Sequence, residues 1–176
     1  MSKNVDICIV VDTVSLIATY PAGTYQNPQG TKHDFAYMIA QSDCVDKGQA
    51  SGDLIVKNLV NNDTVRWRMI SLSGDTDQAA VIYDITHTSG PKVMSSESAY
   101  ESSPYVPLPI LTDDNKNTQP PSFKNDAIET DYFLQANIVG HGTEHYAVKF
   151  YVTKPDAKGK PVLHGYYWWD PAVTVP

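Results

Sequence analysis

The segment NNDTVRWRMISLS, residues 61–73, constrains the fold of this chain most, because a turn signal leads directly into a strand signal. Its first three residues are turn formers, since short polar side chains hydrogen-bond to nearby backbone and tolerate left-handed backbone angles. Val65, Trp67 and Met69 then alternate with two arginines and an isoleucine, which is the period of two expected when one face of a strand is buried. The segment predicts a turn followed by a strand that enters a hydrophobic core.

Strand patterns of this kind recur along most of the chain. Asp12 is a helix-capping residue and Pro21 prevents a helix from continuing, so one short helix is predicted between them, over Thr13–Thr19. Short alternating strands with a single helical window are typical of a β-sandwich. We therefore predict an all-β fold, a single-domain antiparallel β-sandwich of the jelly-roll or immunoglobulin-like type with one short helix after the first strand; an up-and-down barrel is the alternative. The other predicted strands are residues 5–11, 35–41, 54–60, 79–86, 130–139, 145–153 and 163–169.

The turns between these segments predict which strands are neighbours. Residues 54–60 and 65–73 are separated by a short Asn/Asp turn, which indicates an antiparallel hairpin, and 79–86 would extend it to a three-stranded meander. The turn GHGTE joins 130–139 to 145–153.

Residues 88–126 differ from the rest of the chain. They are rich in serine and then in proline, and a loop of this length inside a compact domain is usually functional, an interface arm or mobile. Val106–Leu111 is the one part that favours a strand, at a sheet edge where proline is tolerated. We predict one domain over residues 1–176, with 88–126 as a long loop or an arm.

Charge and composition exclude several functions. The 176 residues carry a net charge of −7, and the thirteen basic residues are scattered, whereas a nucleic-acid surface needs clustered lysine and arginine. The first apolar run, Ile7–Val11, is too short for a signal-peptide core or a membrane span, so we expect no membrane span and a chain that starts in the cytoplasm. Cys8 and Cys44 form neither a metal-binding spacing nor a disulfide framework.

Histidines and serines give little support for catalysis. His141 and His145 flank Glu144, but a metalloprotease needs two histidines one turn apart on a helix, and the glycines here favour a solvated hairpin tip. The sequence has no GxSxG nucleophile elbow and no glycine-rich phosphate loop. We predict that the protein is not an enzyme and uses no cofactor. Calcium is the one ion for which the sequence leaves a binding site as an alternative.

Two acidic loops are candidates for a calcium-binding site. The stretch DDNKN, residues 113–117, begins like an oxygen-ligand calcium loop, although Thr118 and Lys124 stand where an EF-hand has its glycine and its closing glutamate. An EF-hand is therefore excluded, whereas a calcium site of another type and a plain solvated loop both stay as interpretations. The calcium candidates are Asp75, Asp77, Asp113, Asp114 and Asn115.

The last predicted strand carries the most suggestive group of side chains. Adjacent residues of a strand face opposite ways, so at least one aromatic residue of each neighbouring pair has to leave the main core face. Such a ring either meets a subunit or a covering loop, or it stacks on a sugar beside a carboxylate that binds the sugar hydroxyl groups. The ligand-binding candidates are Tyr166, Tyr167, Trp168, Trp169 and Asp170.

Five segments form a pattern that points to a known family. The portion VRWR followed by SLS is the most specific, and the opening strand that ends in VDT is next. The family pattern has a glycine before the aspartate of the turn; Asn62 stands there, and asparagine also adopts positive φ. The segments are VDICIVVDT (5–13), FAYMIAQ (35–41), GQASGDL (48–54), NDTVRWRMISLSG (62–74) and AAVIYDI (79–85), and the match is looser after Ile85. Together they resemble the PixA/AidA family of bacterial inclusion body proteins.

The resemblance implies an abundant, self-associating protein without enzymatic activity. Members of this family are associated with intracellular crystalline inclusions in insect-pathogenic bacteria, and with quorum-sensing-controlled expression in plant- and human-associated ones. For this chain the resemblance implies a homo-oligomer that is located in cytoplasmic inclusions. It also implies expression linked to quorum sensing or growth phase, and a role in host association. Residues 88–126 are the predicted arm between copies.

Carbohydrate recognition is the alternative function. β-Sandwiches commonly serve as lectins, and the last strand offers rings and a carboxylate to host glycans, directly or through calcium. A lectin that acts on host glycans would need release from the cell, for which the sequence shows no signal.

Overall fold

A computed structural model describes residues 2–110 and 122–176. These residues form two compact units, one made of the described residues up to Ala99 together with Phe133–Pro176, the other of those between Tyr100 and Tyr132. Nearly all regular structure is β-strand, which confirms the all-β prediction. No helix in the described ranges is long and apolar enough to cross a membrane. The strands are β1 (Asn4–Val11), β2 (Gln29–Gly30), β3 (Ala36–Ala40), β4 (Val45–Lys47), β5 (Asp53–Val56), β6 (Thr64–Ser71), β7 (Ala79–Ser89), β8 (Ser98–Ser102), β9 (Tyr105–Ile110), β10 (Ser122–Ile128), β11 (Asp131–Asn137), β12 (Gly142–Pro155), β13 (Pro161–Trp169) and β14 (Ala172–Val175).

The α-helix, α1 (Thr13–Thr19), follows β1 directly, as predicted. Asp12 caps it, since its Oδ1 accepts a hydrogen bond from the backbone N–H of Ser15 at 3.0 Å. Tyr20 leaves the helix in an extended conformation just before Pro21. The predicted position, cap and end of the helix are therefore confirmed.

Within the first unit, one sheet has the strand order β3-β1-β6-β11. β1 and β6 run parallel, with Val5 beside Val65 and Ile7 beside Trp67. All four of these side chains are buried. The fold is therefore a mixed β-sandwich and not a purely antiparallel one. A parallel pair needs a long connection, which α1 and strands β2 to β5 supply between β1 and β6.

The other sheet has the order β2-β13-β12-β14-β5-β4, and β7 also pairs with β12. The 14-residue strand β12 organises it. Its first residues pair with β14, while the stretch from His145 onward pairs with β7 on one side and, from Val148, with β13 on the other. This arrangement brings β7, β12 and β13 together as three long neighbours.

The predicted hairpin and meander are wrong, because the chain changes sheets at the turn before β6. β5 lies in one sheet and β6 in the other, so residues 54–60 and 65–73 are not partners, and β7 pairs with β12 instead of completing a meander. β11 and β12 likewise belong to different sheets. A short polar turn indicates that the chain reverses, but it does not say whether the next strand stays in the same sheet, since either outcome buries alternate residues.

Asp63 stabilises the crossing before β6, the turn at which the chain passes from one sheet to the other. Its buried carboxylate accepts hydrogen bonds from the backbone N–H of Lys3 at 2.7 Å and of Val60 at 2.9 Å. The N–H of Ile138 donates to the Asp63 carbonyl at 2.8 Å. Asn62 has a φ of +73°, the left-handed conformation that the sequence predicted for this position. One turn thus ties together the start of β1, the crossing and the end of β11.

The core lies between the two sheets. Trp67 on β6 and Tyr146 on β12 are completely buried, with ring centroids 6.2 Å apart. The Tyr146 hydroxyl donates to Sδ of Met38 on β3 at 3.3 Å. These contacts join the inner faces of the sheets, as in a β-sandwich.

The second unit contains an antiparallel hairpin of β9 and β10. Tyr105 lies beside Ile128, and Pro109 lies beside Phe123. β9 agrees with the strand predicted inside residues 88–126, and β8 and β10 add regular structure where a loop was expected. The role of this stretch as an arm, and the single domain over the whole chain, stay predictions.

Candidate functional site

The strand β13 turns its aromatic residues alternately inward and outward. Tyr167 and Trp169 point into the core and are completely buried, whereas Tyr166 and Trp168 point outward and are partly exposed. Tyr167 stacks on Phe150 at a centroid distance of 5.8 Å. Two of the four predicted aromatic ligand residues are therefore core residues in this structure.

The strand β2 covers the outward ring of Trp168. A Cβ on Gly30 would lie 3.0 Å from this indole, so the absence of a side chain lets the two strands approach closely. The N–H of Thr31 donates to the Trp168 carbonyl at 2.9 Å. Trp168 is thus packed in part against its own chain.

Asp170, the predicted sugar-binding carboxylate, pairs with a histidine. Its Oδ1 lies 3.3 Å from Nε2 of His33. The indole N–H of Trp169 donates to Nδ1 of the same histidine at 3.4 Å. Because Nδ1 accepts this bond, the proton of a neutral His33 lies on Nε2 and faces Asp170.

Tyr166 belongs to a group of four tyrosines on the outer face of the second sheet. Its ring centroid lies 5.6 Å from that of Tyr25, 5.8 Å from Tyr83 and 6.1 Å from Tyr151, each in an edge-to-face arrangement. Tyr25 also contacts Tyr83 at 5.7 Å and is 62% exposed. We name Tyr25, Tyr83, Tyr151 and Tyr166 the tyrosine cluster.

Two glycines let the loop that carries Tyr25 lie on the edge of β13. Gly23 forms an isolated β-bridge with Tyr166, and a Cβ on Gly23 would lie 2.5 Å from the Tyr166 carbonyl oxygen. A Cβ on Gly165 would lie 2.8 Å from the Cβ of Ala22. Since neither position has room for a side chain, the loop is fixed on the strand and holds Tyr25 over the cluster.

A charged pair lies beside the tyrosine cluster. Nζ of Lys149 donates to Oδ2 of Asp84 at 2.7 Å, and the hydroxyl of Thr86 donates to the same oxygen at 2.9 Å. Burial by itself would raise the pKa of Asp84, but the hydrogen bonds from Lys149 and Thr86 outweigh it and hold the pKa below its ordinary value. Asp84 is therefore an ionised acceptor at neutral pH. The pair and the cluster border a cavity of about 380 Å³ lined by Tyr25, Gln26, Pro28, Tyr83, Asp84 and Lys149.

Tyr83 lines this cavity, while its hydroxyl group is buried. Its Oη is buried and has no hydrogen-bond partner within residues 2–110 and 122–176. Burial, helped by the nearby charge of Asp84, raises the pKa of Tyr83 to about 12, so the hydroxyl keeps its proton at neutral pH. The aromatic rings, the carboxylate and the ammonium group together suit a small polar ligand with an apolar face.

A second cavity, of about 350 Å³, surrounds the buried Glu144. Oε1 of Glu144 lies 3.0 Å from Nδ1 of His87, and Oε2 accepts bonds from the N–H groups of Val93 and Met94 at 2.7 and 2.8 Å. Oε1 thus contacts the end of β7, and Oε2 holds the segment after β7 against β12. We assign Glu144 a structural role.

The histidines beside Glu144 lie apart from it. His141 and His145 are exposed, and Nδ1 of His141 lies 2.7 Å from the carbonyl oxygen of Pro176. In the described part of the chain, no group of three His, Cys, Asp or Glu side chains has an arrangement that would hold a metal ion.

Asp75 and Asp77, two of the calcium candidates, lie in the turn between β6 and β7. Oδ1 of Asp75 accepts hydrogen bonds from the N–H groups of Ser71 at 2.9 Å and Ala80 at 3.2 Å, so this carboxylate closes the turn. Asp77 is exposed. The other candidates, Asp113, Asp114 and Asn115, lie outside the described residues.

Sequence alone did not indicate Tyr25, Tyr83, Asp84 and Lys149. A strand period of two marks which side chains leave the core, but it does not identify the neighbouring strand. Asp84 lies beside Lys149 only because β7 pairs with β12. The predicted meander paired this strand with residues 65–73 instead. The available signal was the large number of tyrosines, eleven in 176 residues.

Comparison with known proteins places the whole chain in one family. The family model PixA, described as an inclusion body protein, matches residues 3–175. The crystal structure of the inclusion body protein PixA from Burkholderia cenocepacia J2315 is similar with a TM-score of 0.80 and 19% sequence identity, over 99% of this chain and 97% of that one. At this identity the likeness shows the fold alone. No curated protein sequence matches the chain. Because the family model spans nearly its full length, the chain belongs to the PixA family of inclusion body proteins.

Proposed function

We propose that this protein is non-enzymatic and self-associating, and that copies pack into cytoplasmic inclusions through the β9–β10 hairpin. Membership of an inclusion body protein family supports self-association in general. The observation that carries the proposal is the apolar, exposed face of this hairpin. Control of expression by quorum sensing or growth phase, and a role in host association, stay predictions from the family resemblance.

One face of the hairpin gathers large apolar side chains. The pairing of Tyr105 with Ile128 and of Phe123 with Pro109 puts these four residues on the same side. Tyr105 is 71% exposed, Phe123 63% and Ile128 58%. An isolated two-stranded hairpin is only marginally stable in water, and exposed apolar patches mark interaction sites. The same face of a second copy would cover these side chains.

Side-chain packing, and not strand addition, is the mode of contact that the hairpin favours. Pro107 and Pro109 lack the N–H group that a strand edge donates to a neighbour, which weakens β9 as a template for a further strand. Aromatic residues are also enriched in the centres of protein interfaces. The net charge of −7 opposes close approach of copies, so salt should strengthen the association by screening it.

The double substitution Tyr105→Ser and Phe123→Ser is expected to weaken self-association by about 10- to 100-fold, because it removes two aromatic anchors of the contact. Light scattering across the micromolar range measures this as a shift of the mass distribution toward the 19.4 kDa monomer. The matched control is Tyr25→Ser, which removes a similarly exposed tyrosine outside the hairpin and should leave the association unchanged. A wild-type protein that stays monomeric at all concentrations, or a double variant that associates like the wild type, would contradict the proposal.

A further inference from the structure

We propose that the cavity beside the tyrosine cluster binds a pyranose unit of a neutral glycan. This inference does not use the hairpin and stands independently of self-association. It places the sugar site next to Tyr166, in a cavity lined by residues of other segments, and not on β13 itself. The argument rests on the exposed ring of Tyr25, on the charge balance of the cavity and on its volume.

Tyr25 supplies a stacking surface for the C–H face of a sugar. Its ring is 62% exposed, yet it contacts Tyr83 and Tyr166 at centroid distances of 5.7 and 5.6 Å. The bridge between Gly23 and Tyr166 also fixes the loop. A ring that is already held in place loses little conformational freedom when a ligand stacks on it, which favours binding.

The polar groups of the cavity match hydroxyl groups of a neutral ligand. The side chains of Asp84 and Lys149 are both 32% exposed and lie 2.7 Å apart. A sugar hydroxyl both donates and accepts, so one hydroxyl can donate to Asp84 while its neighbour accepts from Lys149. An anionic ligand would face the carboxylate and a cationic one the ammonium group, whereas a neutral ligand avoids both repulsions.

Tyr83 lines the cavity, but its hydroxyl group is buried and is not exposed to a ligand there. The hydroxyl keeps its proton at neutral pH. Tyr83 therefore adds an aromatic surface beside Tyr25 and no charge. The cavity volume of about 380 Å³ falls within the range of about 300–1,000 Å³ typical of small-molecule sites.

Calcium is not needed in this arrangement. Calcium-dependent sugar sites use carboxylates as cation ligands, but here Oδ2 of Asp84 already accepts from Lys149 and Thr86. The binding of a pyranose should therefore be the same with calcium and with a chelator.

The test is a glycan array run with calcium and with a chelator, followed by saturation-transfer NMR with the methyl glycosides of glucose, galactose, mannose and N-acetylglucosamine. We expect at least one neutral pyranose to bind, with a dissociation constant of about 1 mM for the monosaccharide. Tyr25→Ala should weaken binding by about 10-fold through loss of the stacking surface, and Asp84→Asn by a similar factor through loss of the charged acceptor.

The matched control is Tyr105→Ala, a substitution of an exposed tyrosine in the hairpin that should leave sugar binding unchanged. Far-UV circular dichroism and Tm establish that each variant is folded. If Asp84→Asn is unfolded, the Tyr25→Ala variant tests the sugar site instead, because Tyr25 is exposed and its replacement should not disturb the fold. Three outcomes would overturn the inference: no binding of any neutral pyranose, binding only to sialylated or sulfated glycans, or binding that persists undiminished in Tyr25→Ala. Because self-association is measured on Tyr105 and sugar binding on Tyr25, failure of one proposal leaves the other intact.

Discussion

Replacement of Trp67 with alanine is expected to lower the free energy of unfolding by about 3–5 kcal/mol. Trp67 is completely buried at the centre of β6, where it contacts Tyr146 of the opposite sheet. Removal of the indole takes away its buried surface and leaves a cavity between two sheets that can close only in part. Typical domains have a total stability of about 5–15 kcal/mol, so this one change should bring the protein close to unfolding.

Urea denaturation followed by circular dichroism measures the effect of Trp67→Ala as a lower midpoint with an unchanged slope. Trp67→Phe keeps a ring in the core and should cost less than the alanine substitution. The surface control is Leu72→Ala, just beyond β6, which changes an exposed side chain and should alter stability by no more than about 0.5 kcal/mol. A loss below about 1 kcal/mol for Trp67→Ala would mean that this tryptophan does not anchor the core.

The buried face of β6 was predictable because burial acts on each residue locally. Val65 and Trp67 alternate with arginines, and the structure buries the first pair and turns the second outward. The partner of β6 was not predictable in the same way. Its parallel pairing with β1 depends on contacts between residues about 60 positions apart, for which a single sequence carries no signal.

In the candidate site, too, the direction of each side chain was predictable but its neighbours were not. The rule that one aromatic residue of each adjacent pair leaves the core is satisfied by Tyr166 and Trp168. What those rings meet depends on other strands: a loop held by Gly23 brings Tyr25, and β12 brings Tyr151. A site assembled from four separate segments cannot be read from one of them.

The composition of residues 88–126 marked an unusual stretch, but not its structure. Serine and proline lower the helix and strand propensity of a segment, so a loop was the expected outcome outside Val106–Leu111. Strand β9 agrees with that predicted strand, whereas β10 forms because β9 provides a partner for it. Cross-strand pairing thus overrides weak local propensity here.

Replacement of Asp63 with alanine is expected to lower the free energy of unfolding by about 2–4 kcal/mol. Its carboxylate accepts from the backbone N–H groups of Lys3 and Val60 at 2.7 and 2.9 Å. Without it, two backbone donors at a buried crossing lose their partner, and each such loss costs about 1–3 kcal/mol. Asp63→Asn keeps the size and one acceptor oxygen, so it should cost less. Urea denaturation at neutral pH measures both, and equal stability of the alanine variant and the wild type would show that water replaces the carboxylate.

The same residue gives the protein a defined acid sensitivity. The hydrogen bonds from Lys3 and Val60 hold the pKa of Asp63 below its ordinary value, against the smaller opposing effect of burial. The unfolded chain, with an ordinary pKa of about 3.9, therefore binds this proton more readily than the folded one. The stabilisation by Asp63 is complete above about pH 5 and is lost as the pH falls through about 4 toward the lowered folded value. The difference in free energy of unfolding between the wild type and Asp63→Asn should accordingly be constant from about pH 7 to 5 and shrink below about pH 4, because all other carboxylates contribute equally to both proteins. A difference that is the same at about pH 3 as at about pH 7 would show that the charge of Asp63 does not stabilise the crossing.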